Sequence, residues 1–195
     1  MEELKSAFDI AMDRAKKLGE ASPEEVKKRD LVPQGERLAA GYLKGEGSLT
    51  AELGKYDDEA RGYVAEGAVG ILMRNIDLPR SDAIKGINRR VMDGIKELKA
   101  DKGDVENVYS KMRRLFKHYE QEGEQQRREA YETFKREFQA RLEQQARQQG
   151  LPLPANIDVE RQPQFQEQWR RALFQLDEQY YRLLEEYKRE LEGIA

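Results

Sequence analysis

The chain has no cysteine, so disulfides, thiol nucleophiles and thiolate metal sites are excluded together. Histidine occurs once, at His118, which excludes a metal site built on several imidazoles and leaves one residue for any triad with an imidazole base. Long apolar runs are also missing. The most apolar window, Tyr63 to Met73, is interrupted by Glu66 and falls well short of the roughly 20 residues that a membrane-spanning helix needs. Met1-Glu2-Glu3-Leu4-Lys5 leads straight into an amphipathic pattern, so no secretory leader is expected and the predicted compartment is cytoplasmic.

Charge is plentiful. Asp, Glu, Lys and Arg make up 37% of the 195 residues and the apolar set only 38%, which describes elongated helices with a thin core and long solvated faces. The net charge of -3 conceals a basic middle, because residues 74–118 carry 12 Lys/Arg against 7 Asp/Glu.

Glycine and glutamine divide the chain. Twelve of the 15 glycines precede residue 104, whereas 14 of the 15 glutamines follow residue 120. A turn-rich helical domain over 1–103 is therefore expected, followed over 104–195 by a long antiparallel helical hairpin with its turn at about 150–162. The fold class is all-α and coiled-coil-like.

In the first part, Leu4, Phe8, Ala11, Met12, Ala15 and Leu18 recur at helical spacing. Ser22-Pro23-Glu24-Glu25 carries the reciprocal capping pattern of a second helix. Val32-Pro33 predicts a break, with a short third helix through Leu38 and Tyr42 ending at Gly45-Glu46-Gly47. Ser48 is placed to cap the next. Ala60 to Ile76 mixes small residues with Val, Ile and Leu, as a helix buried on most sides would. After Leu78-Pro79, the stripe Ile84, Ile87, Val91, Ile95 and Leu98 marks one more helix.

Asp104 is expected to cap the long first arm of the hairpin, with Val105, Val108, Met112, Leu115, Phe116 and Tyr119 facing inward. Residues 120–129 contain nothing apolar and include Gly123, so the pattern leaves open a continuous helix or a break there. A turn centred near Asn156 would set Leu142 against Trp169, Phe138 against Leu173, Phe134 against Leu176 and Tyr131 against Tyr180. In that register Leu183, Leu184, Tyr187 and Leu191 find no apolar partner on the opposite arm and must be buried elsewhere. Phe174 and Tyr181, seven apart, form a second aromatic face.

These six residues, Phe174, Tyr181, Leu183, Leu184, Tyr187 and Leu191, are the candidate partner-binding set, because aromatic and large apolar side chains anchor interfaces. A weaker candidate surface for phosphate or an acidic partner comprises Lys85, Arg89 and Lys96 on one helical face, with Arg113, Arg114 and Lys117 on the next helix. Asp82 and Asp93 flank it and no aromatics interleave it, which weighs against nucleic acid; a nucleic-acid- or phosphate-associated protein using the basic 85–117 region is the alternative function. Glu66 in its apolar run reads as an exposed or ion-paired residue, and His118 as a half-exposed helical one. The glycines from Gly41 to Gly47 lack the Lys-Ser/Thr ending of a phosphate loop and read as a helix stop. No catalytic constellation, cofactor or metal site is visible. The expected function is therefore that of a non-enzymatic interaction or scaffold protein acting through its hairpin, with a protein partner or a second copy of itself.

Overall fold

The structure, a computed structural model, describes residues 22–150 and 158–194. The amphipathic segment from Leu4 to Leu18 and most of the predicted hairpin turn lie outside the described residues. Among those described the fold is all-α: α1 (Pro23–Lys44), α2 (Leu49–Leu53), α3 (Asp58–Arg74), α4 (Asp82–Leu98), α5 (Lys102–Gln148), a 3-10 turn (Val159–Arg161) and α6 (Pro163–Glu192). They form two units. One holds the described residues up to Asn75 with Asp93–Leu98; the other holds Ile76–Met92 and the chain from Lys99 onward.

In the first unit, Ser22 and Glu25 make both bonds of the capping box, at 3.1 and 2.8 Å, and Pro23 opens α1 where its missing N–H costs nothing. The break expected at Val32-Pro33 does not occur, and α1 runs through Pro33 to a left-handed cap at Gly45. Packing against α3 accounts for this, since Gly35 and Gly67 bring the two helix backbones together. A Cβ on Gly35 would lie 1.9 Å from the Val64 carbonyl oxygen, and one on Gly67 would lie 2.1 Å from that of Val32. Contacts between α1 and α3 outweigh the single ladder bond that proline removes. Ser48 caps α2 through the Ala51 N–H, and Asp57 caps α3 through the Ala60 N–H.

In α4 the predicted stripe holds except at Ile87, with Ile84 and Leu98 half-buried. Val91 and Ile95 are buried, but Ile87 is 43% exposed and Asn88 takes the inward position. The Asn88 amide repays its burial by clamping Asp77: its Oδ1 accepts the Asp77 N–H at 3.0 Å, and its Nδ2 donates to the Asp77 carbonyl at 2.6 Å.

The cap of α5 is Asp101, whose carboxylate accepts the N–H of Asp104, rather than Asp104 itself. The helix is continuous through Gly123. With α6 it forms the hairpin, but in a different register from the one the apolar spacing predicts. Trp169 meets Phe134 rather than Leu142, Phe165 meets Phe138, and Tyr180 meets Gly123 rather than Tyr131, a slip of about two helical turns. The cause is the segment before α6. Val159 is buried with Phe138 and Phe165, while the Glu160 carboxylate accepts from Tyr131 Oη at 2.8 Å and Lys135 Nζ at 2.6 Å. That turn lies along α5, so α6 begins further down than a tight connection would allow.

Candidate functional site

The slip places the polar stretch of α5 opposite the middle of α6, where the two helices build a polar cluster that is buried at Tyr119, Asp177 and Tyr180 and exposed at His118 and Glu122. Gly123 has no side chain, and the Tyr180 ring fills the space. Tyr180 Oη lies 2.9 Å from His118 Nδ1, and the other imidazole nitrogen is 2.5 Å from the Glu122 carboxylate. One turn further, Asp177 is only 4% exposed. Its Oδ1 pairs with Arg127 Nη1 at 3.2 Å and its Oδ2 accepts from Tyr119 Oη at 3.1 Å. Arg127 closes the circuit, donating from Nη2 to the Tyr119 carbonyl at 3.1 Å and stacking 4.0 Å above the Tyr119 ring centroid. Each oxygen of the buried carboxylate thereby accepts a hydrogen bond, and one comes from a cation, the condition under which such a charge is tolerated. Burial, then the Asp177 carboxylate, raises the Tyr119 phenol above its ordinary range; burial alone is the main cause for Tyr180.

A cleft of about 410 Å³ opens beside this cluster, bordered by Arg80, Lys85, Glu120, Glu124 and Leu173. Its charges answer one another. Lys85 is held at 2.6 Å from Glu120 and 3.1 Å from Asp82, which raises its pKa, and Glu124 pairs with Arg128. The Arg80 guanidinium stacks on the Tyr181 ring. Chemically the arrangement fixes the two helices in one register, since any axial shift would strand Asp177 without its donors.

On the other flank of the α5–α6 seam runs a trough of about 590 Å³. Its floor is Ala130, Phe134, Trp169, Ala172 and Leu176, and Glu129 and Glu137 stand on its rim. The Trp169 ring is fixed edge-on to Tyr131, 5.0 Å between centroids, so the trough has a rigid aromatic wall.

The six residues expected to bind a partner are dispersed by the corrected register. Leu184 and Leu191 are buried at 1% and 0% exposure, and thus belong to the core rather than to a free stripe. Tyr187 is half-buried beside Lys111 Nζ, and Tyr181 half-buried beneath Arg80. Phe174, at 66%, and Leu183, at 40%, stay exposed. Of the basic set, Lys85 and Arg113 are paired with carboxylates, the latter with Glu106, while Arg89, Arg114 and Lys117 are exposed and Lys96 is half-buried. Glu66 is half-exposed and pairs with Lys28 at 2.7 Å. Gly45 and Gly47 have φ of 94° and 82°, the left-handed geometry of a helix stop. Among the described residues no cluster of three or more His, Asp or Glu is placed to hold a metal, and no helix is long and apolar enough to cross a membrane.

Sequence reasoning missed the Tyr119–Arg127–Asp177 circuit and the trough. One signal was present: Asp177 stands on the apolar stripe of α6, four residues after Leu173 and three before Tyr180, where an acid needs an inward partner. No curated protein and no solved structure matches the chain. A family model described as a family of unknown function (DUF6657) matches residues 50–193, from α2 to the end of α6 and well over half of the chain, which therefore belongs to that family.

Proposed function

We propose that the protein is a non-enzymatic interaction protein that works through the α5–α6 hairpin by docking another protein against it. The observation that carries this reading is the trough with Phe134, Trp169 and Leu176 at its floor, an apolar depression on a two-helix element whose register is pinned by Arg127 and Asp177. Rigid aromatic side chains in a recess give contact area at little entropic cost, the usual character of interface anchors. Leu183, seven residues beyond Leu176 and thus on the same face of α6, continues the apolar line of the trough, while Phe174 is a separate exposed aromatic on the opposite face of that helix. The basic 85–117 region supports a phosphate- or nucleic-acid-binding reading less well, because Lys85 and Arg113 are already neutralised within the chain.

The test is capture of partners from the native host by the wild type and by Phe174→Asp and Leu183→Asp variants, alongside solution mass. Both positions are exposed, so the variants should fold. A partner held by the wild type and lost by a variant supports the proposal. A wild type that is monomeric at high concentration and captures nothing refutes it.

A further inference from the structure

We propose that the trough receives the apolar face of a basic amphipathic helix from a partner protein, with Glu129 and Glu137 pairing its Lys or Arg side chains; this deepens the interaction reading and rests on it. The first argument is shape. From Gln126 to Glu137 the α5 wall runs about three helical turns, long enough for the i, i+3/i+4, i+7 anchors of a docked helix. Ala130 and Ala172 in the floor allow a helix backbone to approach closely, and Trp169 and Phe134 supply the aromatic wall.

The second argument is charge. No Lys or Arg lines the trough; its only charged residues are Glu129 and Glu137. Four other glutamates of α5 are ion-paired: Glu106 with Arg113, Glu120 with Lys85, Glu124 with Arg128 and Glu143 with Arg147. Among the described residues neither Glu129 nor Glu137 has an ion pair; Glu129 receives only a neutral bond from Gln125 at 2.9 Å. An apolar recess with two unneutralised carboxylates on one rim selects a ligand that is apolar in the middle and cationic at its margin. It repels nucleic acid and acidic helices. A second copy docked trough to trough about a two-fold axis would bring the same acidic rims together, a like-charge arrangement that disfavours that occupant.

Trp169 is the only tryptophan, so its emission reports occupancy of the trough directly. The probe is a tryptophan-free synthetic helix with Leu at i, i+3 and i+7 and Lys at the flanking positions, compared with the same helix carrying Glu for Lys. The Lys helix should shift Trp169 emission to the blue with saturation, and the Glu helix should not. Glu129→Gln/Glu137→Gln should weaken the Lys helix by about tenfold, and Glu129→Lys/Glu137→Lys should reverse the preference. Circular dichroism confirms that these surface variants fold. Absence of a saturable shift, equal response to both helices, or undiminished affinity in the Gln variant overturns the proposal. So does a concentration-dependent shift of Trp169 without peptide, which would assign the trough to a second copy. A natural partner that is lost by Phe174→Asp or Leu183→Asp but kept by Glu129→Lys/Glu137→Lys would remove the trough assignment alone and leave the interaction reading standing.

Discussion

The Tyr180 hydroxyl rests against the bare Cα of Gly123: a methyl group there would lie 3.0 Å from the phenolic oxygen and 3.1 Å from Arg127 Nη1. A glycine inside a long helix costs about 1 kcal/mol relative to alanine, so its use at this level is explained by the ring it admits.

Gly123→Ala should therefore destabilise the protein by about 1 kcal/mol, because overpacking outweighs the gain in helix propensity. In a Tyr180→Phe background, where the closest atom is gone and Arg127 Nη1 at 3.1 Å remains, the same change should cost less. Urea midpoints of the four proteins in that cycle decide it, and an Ala variant stabilised equally in both backgrounds would contradict the geometry.

Removing one member of the buried pair should cost far more than removing both. Asp177→Ala leaves Arg127 and the Tyr119 hydroxyl without their acceptor and should cost about 3 kcal/mol, whereas Arg127→Met/Asp177→Leu should come much closer to the wild type. Additive losses in thermal denaturation would show that the pair is not coupled.

Gly35 and Gly67 face backbone oxygens, which have nowhere to move. Gly35→Ala or Gly67→Ala should cost about 3 kcal/mol or more and separate α1 from α3, while Gly62→Ala, with open space around it, should be harmless or mildly stabilising. Amide hydrogen exchange across α1 and α3 is the measurement.

Neighbouring leucines on α6 should behave oppositely. Leu184 is fully buried and Leu183 is not, so Leu184→Ala should cost about 3 kcal/mol and Leu183→Ala no more than about 0.5. The register expected from apolar spacing treats both alike, as one stripe that must be buried elsewhere.

High pH should unfold the hairpin early. Tyr119 and Tyr180 are both held above the ordinary phenol value of 10.0 in the folded chain, mainly by burial. A raised folded pKa means that the protonated form is favoured by folding. The contribution is complete below pH 10 and lost as pH rises through the folded values. Denaturant midpoints from pH 8 to 12 should fall above pH 10, and Tyr180→Phe should flatten part of that fall. Tyrosinate absorbance should show a late-titrating fraction that vanishes on unfolding.

Much of the helical content was legible in the residues themselves. The Ser22–Glu25 box, the Ser48 cap, the small-residue run of α3 and the long arms of the hairpin depend on local spacing and backbone chemistry, which hold whatever lies nearby. Tertiary structure decided everything that depends on distant neighbours. It carried α1 through Pro33, because contacts along α3 outweigh one missing hydrogen bond. It put Asn88 rather than Ile87 on the inward face of α4, where the backbone of Asp77 bonds its amide. It set the hairpin register, because Val159 and Glu160 bind along α5 before α6 begins. Apolar spacing is periodic and so fits several registers about equally well. Single groups without a periodic substitute, such as the space at Gly123 and the charge of Asp177, select among them, and their meaning is visible only once the two helices are side by side.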